Sequence, residues 1–577
     1  MEYTTCPLDC FDGCSVEYEA GKKLRGEKAH PITQGYLCPH LNHWFKHPRL
    51  EKARVEGTEV PLHTALEAAI ASLKETPPHK ILFYKGSGNL GLMQGVTKLF
   101  FAKHGAVIAK GSLCDEGGGF GVEEGRGLNL TLSPLHVKEA DVVVLWGRNP
   151  TVTNTHMLPA LQGKTLIVID PVVIMPSAQL HLAIRPRGDV YLALLLARIA
   201  YMEMLEDVAF IEARTEGFEE FKELFLWTPI RVLAQRCGLS LEEVAHMLTL
   251  MKGKKVAFLV GTGVQRYAHA HTVLRAIDSF AAMMGWLGTW GSGVGYLSQS
   301  GVGFTNPFDV PSKEASLVNV DFSAYEVVVI QGANPISQMP TSSVVRTGLG
   351  KVKKVIYLGL HENATSVLAD IVLPVKSFLE KEDLKASYGH HFLGRMPKLT
   401  ENQNALSEHE FCTALMEAFG YEAPKSEHSY IEDFLVSGAV EKKGRWQNRL
   451  YETWPYEKTF YTSSGKFCFL ETFDDTLEAE GMWLIFAKWE RSLNSQFLPH
   501  HALHVPPSLG LKDGDEIRLN SPYGSCVYEV VNDIRLRKDT FLLHSGANNA
   551  NALTPSFETE EGHSAAYQEM HVTWERA

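Results

Sequence analysis

Three cysteines, Cys6, Cys10 and Cys14, recur at four-residue intervals in CPLDCFDGC, and a fourth, Cys38, follows in GYLCP. Four thiolates from one short loop and one later turn can hold a tetrahedral zinc ion or an iron-sulfur cluster, since both accept all-sulfur ligation. Zinc ribbons favour two close pairs of ligands, whereas three on one loop with a distant fourth is cluster-like spacing. GSGNLG offers Gly86, Gly88 and Gly91 between a strand-like and a helical run, the setting in which a helix N-terminus receives a pyrophosphate. The next strand-like run ends at Lys110 with no acid to accept from a ribose hydroxyl. That argues against a nicotinamide dinucleotide and leaves a tight turn or another phosphate ligand. Cys114 stands alone in the glycine-rich KGSLCDEGGGFG, where the bland reading is a small packing residue. His500, His501 and His504 in PHHALH suggest a metal, but an H-x3-H pair with no third ligand in view reads as a surface turn, as do His390 and His391. FLEKED (378–383) reads as the solvated start of a helix rather than a catalytic acid cluster.

The elements that must position these groups are visible in the hydrophobic pattern. KILFYKGSG, ADVVVLWGRNP, KTLIVIDP, KVAFLVGTG, YEVVVIQGANP and KKVIYLGL are apolar throughout and mostly end in glycine. Such strands need cover on both faces, which predicts parallel sheets in doubly wound α/β layers. Two of them close on WGRNP and QGANP, about 185 residues apart, which points to two related α/β units. Beyond about residue 470, short strands alternate with Asp-Gly and Tyr-Gly turns, as in a compact β-barrel. The stretch 385–470 is mixed and polar and yields no assignment.

At 577 residues the chain needs several cores, and its 45% hydrophobic and 21% charged content is that of a globular protein. The net charge of -12 is dispersed, with no basic stripe for nucleic acid. No apolar run reaches membrane-spanning length; VYLALLLARIAYMEML (190–205) is interrupted by Arg198 and reads as a buried helix, so no direct membrane insertion is expected. The amino end lacks an export pattern, and nine dispersed cysteines do not form a disulfide framework, so a cytoplasmic location is expected.

In collinear order the chain resembles the molybdopterin oxidoreductase superfamily of the dimethyl sulfoxide reductase type. The elements are CPLDCFDGCSV…GYLCP (6–39), GSLCDEGG (111–118), LWGRNPTVTNTH (145–156), VIDP (168–171) and IRPRGD (184–189). GTGVQRYAHA (261–270), GWLGTWGSG (285–293), IQGANPISQMP (330–340) and NATSVLADIVLP…LEKED (363–383) follow, then LNSQF, LGLKDGDEIRL and NNANALT. The resemblance implies a 4Fe-4S cluster on Cys6, Cys10, Cys14 and Cys38, bis-molybdopterin guanine dinucleotide (bis-MGD), and molybdenum or tungsten ligated by Cys114. It implies an N-terminal cluster domain at 1–52, completed by parts of 385–470, and a first α/β dinucleotide-binding domain from 53–110 and 311–385. A second spans 111–310, and a β-barrel at 472–577 closes over the pterins.

With that cofactor, Gly86, Gly88, Gly147, Gly261, Gly263 and Gly332 would let backbone amides face phosphate, with Gln265 beside them. Asn149, Asn154 and Asn334 would bond phosphate or guanine, and Asp170 or Asp189 would accept from guanine N–H groups. Asn494, Ser495, Gln496, Asn548, Asn551 and Thr554 would meet the pterins. Two departures stand out. His40 occupies the place, two residues after the fourth cluster cysteine, where many relatives carry lysine, leaving electron relay there in question. Asp115, not histidine, follows Cys114, which argues against formate. Asp115 and Glu116 are candidate proton handlers beside a metal. The implied function is two-electron chemistry on a small-molecule substrate, with an electron-transfer protein or iron-sulfur subunit as partner. Two alternatives stay open: a non-redox hydratase, suggested by Asp9 and Asp12, and an iron-sulfur scaffold without pterin.

Overall fold

A computed structural model describes residues 2–20, 23–473 and 481–577. Its middle consists of two sheets whose central strands are largely apolar and covered on both faces. The larger sheet runs, edge to edge, Lys313–Ser316, Val107–Lys110, Ile81–Lys85, Val327–Gln331, Lys354–Gly359, Ile371–Pro374, Ala53–Val55 and Thr58–Val60. Its first six strands are parallel and the terminal hairpin is antiparallel. Alternation along one strand separates two cores: Val327 and Val329 pack with Ala65, Ala69 and Phe100, while Val328 and Ile330 pack with Ile336, Val345 and Leu349.

The smaller sheet is parallel throughout, in the order Leu180–Leu182, Thr165–Ile169, Val142–Trp146, Val256–Val260, Gly293–Gly295. Val142, Val144 and Trp146 face the helices Asp189–Met202 and Ala270–Met283, and Val143 and Leu145 face Val137 and Leu161. Both sheets are doubly wound. No described helix is long and apolar enough to cross a membrane, and the apolar run near 190–202 is the buried helix that the pattern predicts. WGRNP and QGANP end the central strands of their respective sheets. Gly147 and Gly332 take φ values of +58° and +57°, and each leads through an Asn-Pro pair into a one-turn helix. A side chain at either glycine would strain this shared turn.

The chain leaves the larger sheet after Lys110 and returns to it at Lys313–Ser316, which pairs directly with Val107–Lys110. The outgoing connection, 111–115, enters the helix Glu116–Arg126. Its glycines allow very close approach to Ala270–Met283: a Cβ on Gly121 would lie 2.0 Å from the His271 carbonyl oxygen. At its end Arg126, fully buried, donates through Nε to Asp278 Oδ2 at 2.7 Å and through Nη1 to the Val294 carbonyl at 2.9 Å.

An amino-terminal sheet, Glu2–Thr5, Ser15–Tyr18 and Arg25–Gly26, shares a core with Phe378, Leu379 and Met396 from the distant 378–396 segment. FLEKED is therefore not a solvated helix start. Glu380, Lys381 and Asp383 are buried because each has a partner: Arg49 for Glu380, Glu408 for Lys381, and the Met93 amide for Asp383. The carboxyl-terminal part forms a closed six-stranded barrel of Met482–Ala487, Thr540–His544, Leu503–Val505, Gly524–Asn532, Glu516–Ser521 and His571–Arg576. The expected start of this region, at 472, adjoins residues 474–480, which lie outside those described.

Removing one partner of a buried ion pair strands the other charge, so Arg126→Met is expected to cost about 3–5 kcal/mol. Thermal melting and limited proteolysis should show the loss, and Arg126→Met/Asp278→Leu should recover most of it. A single variant as stable as the parent would remove the pair from the account of how the helices are held.

Candidate active site and cysteine loop

The carboxyl ends of the larger sheet open into a cavity of about 750 Å³, in the size range of small-molecule sites. Its walls come from the turns 84–90, 332–338 and 357–363, the connection 111–116, the loop 494–497 and the barrel segment 545–551. Asp9, from the cysteine loop, lines it too. Gly86, Gly88, Cys114, Asp115, Gly332, Asn334, Asn494, Ser495, Gln496 and Asn551 are thus brought to one cavity from five separate stretches of sequence.

Cys114 is half-buried in the connection between the sheets, its amide donating to Ser112 Oγ at 2.9 Å. Burial, reinforced by the Asp115 carboxylate, pushes its thiol up to about 12, against the pull of Lys488 and Arg266. Burial raises Asp115 to about 6, with Asp9 adding to it, and Glu116 to about 7. A thiol this hard to ionise is a poor free nucleophile, and a bound metal ion would supply the missing positive charge. Lys488 carries no motif and Arg266 lies unremarked within GTGVQRYAHA; only the fold places them beside Cys114. Lys85, at a strand end in the same cavity, is half-buried and lowered to about 8, first by desolvation and then by Lys98, so an anion there would be stabilising.

Four thiols gather in the cysteine loop. Cys6 and Cys14 are buried, Cys10 and Cys38 half-buried, and burial pushes all four up, Cys6 to about 12. Each of Cys6, Cys10 and Cys14 also senses Cys38, so the four are neighbours. Yet among the described residues no three such side chains are grouped as ligands of a single ion. The loop is fixed from elsewhere. Lys385 donates to the carbonyls of Leu8 at 2.5 Å and Cys10 at 3.4 Å, Ser387 Oγ to that of Phe11 at 2.6 Å, and His390 Nε2 to that of Asp12 at 2.6 Å. His390 is therefore no surface turn; it is buried, like the lysine.

Asp9 and Asp12 are separated by the fold. Asp9 faces the cavity and accepts from Tyr388 Oη and Asn494 Nδ2, both at 3.1 Å. Asp12 turns inward to His156 Nδ1 at 2.8 Å and to Asn154. His40 stacks on the cavity-lining Phe497, ring centres 4.5 Å apart, and burial, then His47, lowers it to about 4. Phe497 and Asn494 take φ of +67° and +54°, a costly conformation for non-glycine residues and a frequent mark of functional loops.

Other expected ligand groups do not reach this cavity. Gln265 is fully buried; its Oε1 accepts from the Gly118 amide at 3.0 Å and its Nε2 donates to the Cys114 carbonyl, so it braces the Cys114 turn from below. Asn154 bridges Arg148 and Asp12, and Asn149 caps its own helix on the Thr151 amide. Asn548 is exposed, and the buried Thr554 hydroxyl donates to the Asn551 carbonyl at 3.0 Å. Each amide or hydroxyl is already engaged by nearby chain or faces solvent. Gly147, Gly261 and Gly263 cluster at the smaller sheet's edge, where a Cβ on Gly261 would stand 2.0 Å from the Gly147 oxygen. Asp170 and Asp189 lie there too, both raised to about 7 by burial, and Trp146 Nε1 donates to Asp189 at 2.7 Å.

The molybdopterin oxidoreductase family model matches residues 64–404. A probable oxidoreductase of Bacillus subtilis, YyaE, is 26% identical over 97% of both chains. The F420-dependent formate dehydrogenase subunit alpha of Methanocaldococcus jannaschii is 22% identical over 74% of this chain and 71% of its own. Acetylene hydratase from Pelobacter acetylenicus has the same fold, with a TM-score of 0.82 over 100% of each chain at 16% identity.

In metal-free protein, Cys114 should alkylate about a thousandfold more slowly at pH 8 than an unperturbed cysteine, with the rate still climbing about tenfold per pH unit at pH 10. Asp115→Asn removes a charge that disfavours the thiolate and should speed labelling; Lys488→Gln should slow it. Peptide mass spectrometry reads both, and labelling of Cys114 at an ordinary rate would contradict the assigned electrostatics.

Proposed function

Because the chain belongs to the molybdopterin oxidoreductase family, we propose that it is a two-electron oxidoreductase built on bis-MGD, with its metal at Cys114 and a 4Fe-4S cluster on Cys6, Cys10, Cys14 and Cys38. The family implies a molybdopterin cofactor of molybdenum or tungsten. The observation that carries the finer reading is that one loop serves two places: Asp9 lines the cavity of Cys114, while its neighbour Cys10 belongs to the four-thiol nest. Four neighbouring thiols not drawn together for one ion suit a multi-iron cluster better than zinc.

When bound, the metal-pterin group supplies the two-electron chemistry and the cluster a one-electron route. The chain's own residues do the rest. Gly332 has no atom within 4 Å of where a Cβ would stand, so the backbone is bare to the cavity, and the turn at 86–88 rests against the Gly332 oxygen. Asn334, held by Ser495 and Thr365, fixes this turn against the 494–497 loop. Asp115 and Glu116, raised to about 6 and 7, can hold a proton near neutral pH beside Cys114. The stack of His40 on Phe497 replaces the lysine of relatives as the polar link between cysteine loop and cavity. The substrate is a small molecule, and the subunit named in the formate dehydrogenase relative supports a separate electron-transfer partner. The cytoplasmic location belongs to this reading.

A hydratase reading has one observation in its favour: Asp9 reaches the same cavity with two hydrogen-bond donors on its carboxylate. A scaffold without pterin is disfavoured by the open, glycine-lined cavity.

Protein purified without oxygen from cells given molybdate and tungstate should contain about four iron atoms and one molybdenum or tungsten per chain, and should release guanine nucleotide on acid hydrolysis. Cys10→Ser should lose iron, and Cys114→Ser should lose turnover with iron retained. Substrate-dependent reduction of a dye supports the oxidoreductase; turnover without dye reduction would favour the hydratase; iron with no pterin would favour the scaffold.

A further inference from the structure

The PHHALH segment is not a helical surface turn. His504 lies on the barrel strand Leu503–Val505, whose neighbour Thr540–His544 pairs with it antiparallel, His504 opposite Leu542. Strand alternation places His544 on the face of Leu542 and so diagonal to His504. His500, on the loop leading into the strand, closes a triangle. Ring centres are 5.2 Å apart for His500 and His504, 5.4 Å for His500 and His544, and 5.0 Å for His504 and His544.

All three Nε2 atoms are buried and have no hydrogen-bond partner. The opposite nitrogens of two rings are engaged. His504 Nδ1 meets Asp533 Oδ2 at 3.0 Å, and His544 Nδ1 meets the Lys488 carbonyl at 3.2 Å. Arg535 holds Asp533 in turn, at 2.7 Å. An Nδ1–H donated to a carboxylate or carbonyl leaves Nε2 with its lone pair exposed, the arrangement that orients a histidine as a metal ligand. Three buried acceptors with nothing to accept from are otherwise costly.

We propose that His500, His504 and His544 form a second metal site, binding one divalent transition-metal ion of the zinc class through three imidazole nitrogens with a fourth position open to water. A nitrogen ligand at about 2.0–2.1 Å with a tetrahedral angle sets ring centres roughly 5.2 Å apart, which matches the triangle. The donor atoms themselves do not yet converge as ligands of a single ion. The ring-centre spacing is that of a closed site, and closure requires the three rings to turn their Nε2 atoms toward one point. The ion joins the loop following Asn494–Gln496 to a strand whose continuation, Ser545 and Gly546, lines the cavity, and so braces that wall.

Full-length protein with its iron in place is dialysed against micromolar Zn2+, then assayed for zinc by elemental analysis and for ligand type by X-ray absorption. The expected result is one zinc per chain beyond the other metals, with nitrogen and oxygen neighbours near 2.0 Å and no sulfur near 2.3 Å. His500→Ala, on the loop, should lose that zinc while keeping its iron, and Asp533→Asn should weaken binding by about 10–100-fold. No retained zinc, sulfur in the first shell, or equal retention by the parent and both variants would overturn the proposal. Because the readout is zinc, failure here leaves the molybdopterin reading untouched.

Discussion

One buried ammonium group governs the amino-terminal part of this protein. Lys385 is 1% exposed, and its charge is satisfied by the backbone carbonyls of Leu8 and Cys10. A buried cation without acceptors would be prohibitive, so strand Asp383–Ala386 and the cysteine loop must form together. Ser387 and His390 complete the set, leaving the carbonyls of residues 8, 10, 11 and 12 bonded to a segment more than 370 residues away. The four-thiol nest is thus a product of the whole fold. The same lysine eases ionisation of Cys6, against the larger opposing effect of burial.

Electrostatics in the cavity follow a related logic. Acids and thiols there are disfavoured in their charged forms because they are out of water, while Lys85, Lys488 and Arg266 supply positive charge close by. An anionic ligand would relieve the lysine, and a cation would relieve the thiol and the carboxylates. The site is arranged for a ligand carrying both, as a metal complex bearing phosphate does. The strained turn at Asn494 and Phe497 is held by Asp9, Lys488 and His40, which ties the barrel to the cysteine loop across the same space.

The sheets were legible because strands covered on both faces are apolar along nearly their whole length, as in VVVLW and the VVVI of VVVIQ, and because WGRNP and QGANP mark two equivalent edges. The barrel was legible from its turns. The 378–396 segment was not: Lys381, Lys385 and His390 look like surface residues until their partners, remote in sequence, are known. Gln265, Asn154 and Thr554 sit in motifs that suggest ligand contact, and their hydrogen bonds to neighbouring chain are set by the fold, which residue type alone does not disclose. His544 could not be connected with PHHALH by spacing, since strand pairing alone brings them together.

The repeated strand endings differ at two positions, Trp146 against Gln331 and Arg148 against Ala333, and only the second changes the charge. Arg148 is buried, lies 4.1 Å over the Phe11 ring within the cysteine loop, and has two N–H-bearing nitrogens, Nε and Nη1, with no hydrogen-bond partner. Ala333 brings no charge. Two chemically identical molecules seated at these twin edges would consequently be electronically inequivalent: one would feel the Arg148 guanidinium shared with Phe11, the other the Lys85 side chain at the neighbouring strand end. The two edges share one backbone turn, and the guanidinium at one of them breaks their equivalence.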